Sequence, residues 1–273
     1  MKVRQKTVVF GIGAMGSALV KGWISSKMIA PRLITAVDVD AAKLKKTASR
    51  LKIKAATDAA KALQSAGLVL LAVKPQQMKE LLNQAGSQFP KGALVVSIAA
   101  GVSTEQIERG LPQGCPVVRV MPNTPALLGA GMAAVAGGKR AKSSHIKLVL
   151  DLFSAVGRAV QVTEDQMDMV TAVSGSGPAY IFHMIEAMTE AGVKGGLEPE
   201  VAHLLVAQTV FGAARMVLET GKTPEELRIQ VTSPGGTTQA ALAKMTEKGF
   251  KETVQAAVEA AAQRGAELRQ MSS

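Results

Sequence analysis

Six residues, Gly11-Ile12-Gly13-Ala14-Met15-Gly16, restrict the folds open to this chain more than any other stretch. They follow a short apolar run, Thr7-Val8-Val9-Phe10, and open a helical run, Ser17-Ala18-Leu19-Val20-Lys21-Gly22-Trp23-Ile24. Three glycines at this spacing, after a strand and before a helix, form the turn on which a dinucleotide pyrophosphate rests. Gly11 permits the tight turn, Gly13 lets the backbone approach the pyrophosphate, and Gly16 lets helix and strand pack closely. With Phe10, Ile12, Ala14 and Met15 they are the candidate cofactor-binding loop. A second strand, Leu33 to Val37, ends at Asp38, 22 positions after Gly16. A carboxylate there can accept hydrogen bonds from the adenosine ribose hydroxyls. Its alternative role, capping the helix that starts near Ala41, can fall to Asp40 instead.

Strands and helices go on alternating, which predicts a doubly wound, mostly parallel sheet of the Rossmann type. Leu68 to Val73 is a near-continuous apolar run, as expected for a strand buried on both faces. It ends in Ala72-Val73-Lys74-Pro75. Leu94 to Ile98 ends in Ala99-Ala100-Gly101, and Val117 to Met121 ends in Pro122-Asn123-Thr124-Pro125. Ligands of such sheets bind outside the carboxyl ends of the strands, so these ends are the expected rim of the cofactor site. Asn123 and Thr124 can orient a carboxamide or a substrate, or serve simply as turn residues. Met132 to Ala136 and Arg158 to Val162 are the last expected strands, with a helix from Ser144 to Ala155 between them.

The strand pattern stops at residue 163. Two domains follow from this: a dinucleotide-binding Rossmann domain over 1–163 and an all-helical substrate and dimerisation domain over 164–273. Ser174-Gly175-Ser176-Gly177-Pro178 breaks one helix and starts another. A long helix from Pro199 to about Thr220 carries Val201, Leu204, Leu205, Val206, Val210, Phe211, Met216, Val217 and Leu218 around most of its circumference. A helical domain of ~110 residues has limited internal burial. This helix is therefore expected to pack against a second subunit. Thr223-Pro224-Glu225-Glu226 has the pattern of a capping box.

Val231-Thr232-Ser233-Pro234-Gly235-Gly236-Thr237-Thr238 then leads into the helical run Gln239-Ala240-Ala241-Leu242. Adjacent glycines allow positive φ, and the free N–H groups of a first helical turn attract an anion. With no lysine or histidine in the loop, the expectation is a carboxylate-sized cradle of backbone and hydroxyls. An ordinary capped turn is the competing reading.

Composition narrows the function classes. The 273 residues carry a formal net charge of +11, but the lysines are scattered and aromatics make up only 3%. This pattern favours solvated lysine faces over a basic groove that stacks bases, and no nucleic-acid partner is expected. Cys115 is the single cysteine, so neither an internal disulfide nor a cysteine zinc site can form, which fits a reducing, cytoplasmic setting. No uninterrupted apolar run of ~18 residues is seen, so no membrane span is expected. His145, His183 and His203 fall on predicted helices without metal-ligand spacing, and no metal is expected.

Taken together, Phe10 to Gly16, Ala72-Val73-Lys74-Pro75, Ser97 to Val102, Arg119 to Ala126, Val173 to Tyr180 and Ser233 to Thr238 give the chain a family likeness. It resembles the pyrroline-5-carboxylate reductases nearly end to end. The resemblance implies reduction of L-1-pyrroline-5-carboxylate to L-proline with NADPH or NADH, the last step of proline biosynthesis. It also implies an interlocked homodimer, larger assemblies of dimers, and an active site between the cofactor domain and helices contributed across the dimer. Ser233, Gly235, Gly236, Thr237 and Thr238 become the expected substrate-binding residues, with the Thr238 hydroxyl on the ring nitrogen as the catalytic group. Many family members have small polar residues where this chain has Val37-Asp38-Val39-Asp40, and Asp38 favours NADH. Two rivals are a β-hydroxyacid dehydrogenase-like oxidoreductase and a non-enzymatic nucleotide-sensing protein. The first places a lysine just into the helix after its glycine-rich break, and Pro178-Ala179-Tyr180-Ile181-Phe182-His183 contains none.

Overall fold

Runs of Val, Leu and Ala become the strands of a single eight-stranded sheet in the computed structural model, which describes residues 2–271. The strands are β1 (Lys6–Phe10), β2 (Ile34–Val37), β3 (Lys54–Ala56), β4 (Ala66–Leu71), β5 (Leu94–Ser97), β6 (Val117–Pro122), β7 (Gly131–Gly137) and β8 (Gly157–Gln161). Their order is β3-β2-β1-β4-β5-β6-β7-β8, and all neighbours are parallel except β6 and β7. The order reverses between β1 and β4, which is where a doubly wound sheet opens its ligand crevice.

The helices α1 (Ala14–Ser25), α2 (Ala41–Leu51), α3 (Ala59–Leu63), α4 (Pro75–Ala85), α5 (Thr104–Arg109) and α6 (Ser143–Ser154) connect the strands. Side chains alternate along each strand, so each face of the sheet has its own core. On β4, Leu68 and Leu70 join Trp23, Leu152 and Phe153 on one face. Val69 and Leu71 join Leu63, Met78 and Phe89 on the other. Trp23 keeps its indole N–H satisfied by donating to the Leu152 carbonyl at 2.9 Å. The β3 edge strand was not expected from the sequence: Lys54-Ala55-Ala56 is too short and too polar to show a period.

After β8 come α7 (Met167–Val170), a π-helical turn (Thr171–Gly175), α8 (Gly177–Lys194), α9 (Pro199–Glu219), α10 (Pro224–Gln230), α11 (Thr237–Glu247) and α12 (Phe250–Met271). Thr223 caps α10 by accepting from the Glu226 N–H at 3.2 Å, with the Glu226 carboxylate returning to the Thr223 N–H at 2.7 Å. Compactness divides the chain into two units. The first holds the sheet, the chain as far as Ser176, and the stretch from Ala260 onward. The second is Gly177–Glu259. The switch from strands to helices at residue 163 is a separate landmark, thirteen residues earlier.

The second unit has almost no interior of its own. Ala202 is its one buried residue among the described residues, and it lies where α9 meets α8 closely enough that a Cβ on Gly192 would come within 3.3 Å. Around α9, Leu204 is 69% exposed and Leu205, Phe211, Met216 and Leu218 are exposed with it. By length and composition alone α9 could cross a membrane, with a mean hydropathy of 1.5 over 18 residues, though its apolar run is interrupted as the sequence indicated. Its charged and polar residues, Glu200, His203, Gln208 and Arg215 among them, break the apolar run without bringing the mean down.

Candidate active site

The glycine loop has the geometry that its spacing requires. Gly11 stands at φ +91°, and a Cβ there would lie 2.4 Å from the Ala72 carbonyl oxygen. A Cβ on Gly16 would lie 2.2 Å from the Gly11 carbonyl oxygen. Gly13 differs: nothing stands within 4 Å of its missing Cβ. It is the N-cap of α1 and no side chain caps it. Open space beside bare N–H groups at a helix start fits a dinucleotide pyrophosphate. Phe10 and Ile12 are buried in the two cores, so these two can offer a cofactor only their backbone.

Asp38 ends β2 as expected, but its carboxylate is largely committed. One oxygen accepts from the Ile12 N–H at 2.7 Å. The other accepts from the Asp40 N–H at 3.0 Å and pairs with Lys43 Nζ at 3.1 Å. The side chain is 5% exposed. Burial pushes the Asp38 carboxyl up, and the two backbone N–H groups and Lys43 more than reverse this, so it titrates below its ordinary value. Asp38 therefore braces the glycine loop from below. Asp40 caps α2, accepting from the Lys43 N–H at 2.9 Å.

The expected rim residues follow the carboxyl ends of adjacent parallel strands. Ala72 and Val73 follow β4, Lys74 is the N-cap of α4, and Pro75 is its first residue. The Gln77 side-chain oxygen accepts from the Lys74 N–H at 3.3 Å. Ala99, Ala100 and Gly101 follow β5, with Gly101 at φ +71° and Ala99 packed in the core. Asn123 follows β6, where its side-chain Oδ1 accepts from the Met132 N–H at 2.8 Å and its side-chain NH2 donates to Ser174 Oγ at 3.4 Å. Asn123 thus ties β6 to β7 and to the π-helical turn.

In the second unit, the Ser233–Thr238 loop meets α11 as a bare helix start. Gly235 has φ +71°. Gly236 does not share that conformation: it is the N-cap, at φ −80° and ψ 169°, with no side chain capping it. Its glycine requirement is steric, because a Cβ there would lie 2.4 Å from Ser233 Oγ. Neither Thr237 nor Thr238 caps the helix; they are its first two residues. The first helical N–H to find a partner is that of Ala240, on the Gly236 carbonyl at 3.2 Å. The N–H groups of Thr237, Thr238 and Gln239 precede it.

Two features escaped the sequence reading. Arg119, central in the apolar β6, is 1% exposed and donates to Glu164 at 2.9 Å. Glu164 also accepts from the Thr104 N–H at 3.3 Å. An arginine inside an apolar strand is itself a signal that a buried acid must face it. Ser174 was read as part of a helix break, and no local pattern announces the π turn that carries it. Of the histidines, His145 accepts from the Lys142 N–H at 3.1 Å and titrates low through burial and then the Lys142 charge. His183 lies 3.2 Å from Glu186. No cluster of three or more metal-ligating side chains occurs among the described residues.

This sheet and this loop define a dinucleotide-binding protein of the Rossmann type. Residues 6–101 match a family profile described as NADP oxidoreductase, coenzyme F420-dependent, and residues 164–268 match pyrroline-5-carboxylate reductase dimerisation. The pyrroline-5-carboxylate reductase of Methanosarcina acetivorans is 44% identical over 264 residues, 97% of this chain and 98% of that one. The crystallised reductase of Coxiella burnetii superposes with a TM-score of 0.89 at 36% identity, covering 97% of this chain and 99% of that one. The Plasmodium falciparum enzyme, solved with NADP bound, gives 0.88 at 31%, covering 98% and 100%. The chain belongs to the pyrroline-5-carboxylate reductase family.

Proposed function

We propose that this chain reduces L-1-pyrroline-5-carboxylate to L-proline, the closing step of proline biosynthesis, as a cytoplasmic homodimer. The observation that carries the proposal is the uncapped start of α11 behind Gly235 and Gly236. The substrate is a cyclic imine bearing one carboxylate. The free N–H groups of Thr237, Thr238 and Gln239, at the positive end of a helix dipole, hold that carboxylate without a cationic side chain. Fixing it sets the ring in one orientation, which is where much of the rate gain arises.

A nicotinamide cofactor, when bound, would supply a hydride for the imine carbon. The ring nitrogen is protonated, or strongly hydrogen-bonded, as the hydride arrives, and the product is the secondary amine. The Thr238 hydroxyl orients that nitrogen by hydrogen bonding. That hydroxyl is too weak an acid to act as the proton source itself, and the imine takes its proton from solvent. On the cofactor side, Gly13 and the start of α1 hold the pyrophosphate, and the strand ends Ala72 to Pro75, Ala99 to Gly101 and Asn123 form the rim.

NADH is the preferred cofactor in this proposal. A 2′-phosphate ~4 Å from Asp38 would repel it by roughly 1–4 kcal/mol. Lys43 already faces Asp38 at 3.1 Å, and no arginine lies between Arg32 and Arg50 to grip a phosphate. The test is pyrroline-5-carboxylate-dependent oxidation of NADH and of NADPH by wild type and by Asp38→Asn. The asparagine keeps an acceptor for the Ile12 N–H and removes the charge. The expected result is a higher kcat/KM with NADH and a ratio that moves toward NADPH in the variant. No oxidation with either cofactor overturns the proposed reaction, and an unchanged ratio overturns the role of Asp38.

A further inference from the structure

The substrate cradle proposed above must keep Gly235 at positive φ and leave the first N–H groups of α11 bare, yet its N-cap has no side chain to stiffen it. Two hydrogen bonds close the loop. The Gly236 N–H donates to the Ser233 carbonyl at 3.0 Å. The Gly235 N–H donates to the Gln239 side-chain oxygen at 2.6 Å. Gln239 is the third residue of α11. In a capping box the side chain at that position returns to the N-cap N–H. Here it reaches one residue further back and takes the N–H of the left-handed glycine itself.

We infer that Gln239 is a substrate-positioning residue. It takes up the Gly235 N–H, orients the turn, and leaves the N–H groups of Thr237, Thr238 and Gln239 to the substrate carboxylate. An amide suits this task and an acid does not. Glutamate offers the same acceptor oxygen but sets a negative charge beside the anion that the loop receives. The inference rests on the proposed cradle, and the experiment separates the two.

Gln239→Ala removes the acceptor at an exposed position and installs the strongest helix former. Wild type and variant are assayed with L-1-pyrroline-5-carboxylate and with 1-pyrroline, the same ring without its carboxylate. The expected result is a three- to tenfold higher KM for the carboxylated ring, about the worth of one hydrogen bond. The kcat, the KM for NADH and the kcat/KM for 1-pyrroline stay unchanged. Gln239→Glu provides the second arm. It is expected to be impaired at low ionic strength and to recover toward wild type as salt screens its charge. Equal losses on both rings, or no loss on either, overturn the role of Gln239 while the cradle stands. A wild type that does not discriminate between the rings overturns the cradle, and the role of Gln239 with it. Should the alanine variant fail to fold, the salt response of the glutamate variant decides alone: no recovery overturns the inference.

Discussion

Single residues in this protein act mostly through what they leave free. Thr238 caps nothing, and in the proposed reaction its hydroxyl serves the ring nitrogen. Thr238→Ala is expected to lower kcat about 10- to 1,000-fold, the range for removing one directed donor, with little change in the KM for the cofactor. Steady-state rates with both substrates varied check this. Asp38 is the opposite case, since its two oxygens already serve the Ile12 N–H, the Asp40 N–H and Lys43. Because the folded state holds this carboxyl below its ordinary value, the unfolded chain protonates first as pH falls. The stabilisation is fully present above the unfolded value of about 3.9 and is lost as pH drops through the lower folded value. Thermal melts of Asp38→Asn are therefore expected to show a weaker dependence on pH below about 4 than wild type. The sequence placed Asp38 at the end of the second strand but not in this network. The bond from Ile12 depends on how closely β1 and β2 approach, and spacing does not encode that. Gly236 shows the same limit. Its identity suggested a positive φ, whereas its real constraint is the Ser233 hydroxyl beside it.

At the level of elements, the signals that were legible are those that repeat. β4 and β5 show as unbroken apolar runs because both of their faces are buried, and the capping box of α10 shows in four residues. What was hidden depends on partners distant in sequence. β3 exists because β2 offers it an edge, and the π turn at Thr171–Gly175 is anchored by Asn123 from another strand. The junction of β1, α1 and β4 is the tightest of these partnerships. Gly16→Ala would set a methyl group 2.2 Å from the Gly11 carbonyl oxygen and 3.3 Å from the Ala72 Cβ. Backbone cannot yield as a flexible side chain does, so α1 must move away from the loop. The expected outcome is a KM for NADH raised at least about tenfold, one hydrogen bond's worth or more, together with a lower melting temperature. Cofactor titration and calorimetry report the two effects separately.

The whole molecule is unevenly supplied with interior. The sheet carries a large core on each face and a smaller cluster of Ala134, Ala136 and Met167, while Gly177–Glu259 contributes a single buried residue among those described. Burial of a large apolar side chain is worth about 1.5–3 kcal/mol, and α9 alone presents Leu204, Leu205, Phe211, Met216 and Leu218 to solvent. Those faces belong to the region matching the dimerisation profile. Leu205→Asp separates the alternatives, because Leu205 is exposed in the single chain and a monomer would tolerate the charge. Within a dimer the charge is buried and unpaired, at a cost of several kcal/mol. Light scattering is expected to show a dimer or larger for wild type and dissociated or unfolded chains for the variant, and a monomeric, active wild type would sink the idea. The path of the chain also sets a schedule. Residues from 260 onward belong with the sheet: Arg269 pairs with Asp168 at 3.0 Å, and a Cβ on Gly101 would stand 3.6 Å from that of Leu268. A ribosome makes these residues only after the entire helical stretch from Gly177 to Glu259. The loop after β5 therefore lacks its Leu268 neighbour until translation has passed that whole stretch. For that interval a chaperone or a protease meets Gly101 and Asp168 without the Leu268 and Arg269 that later face them.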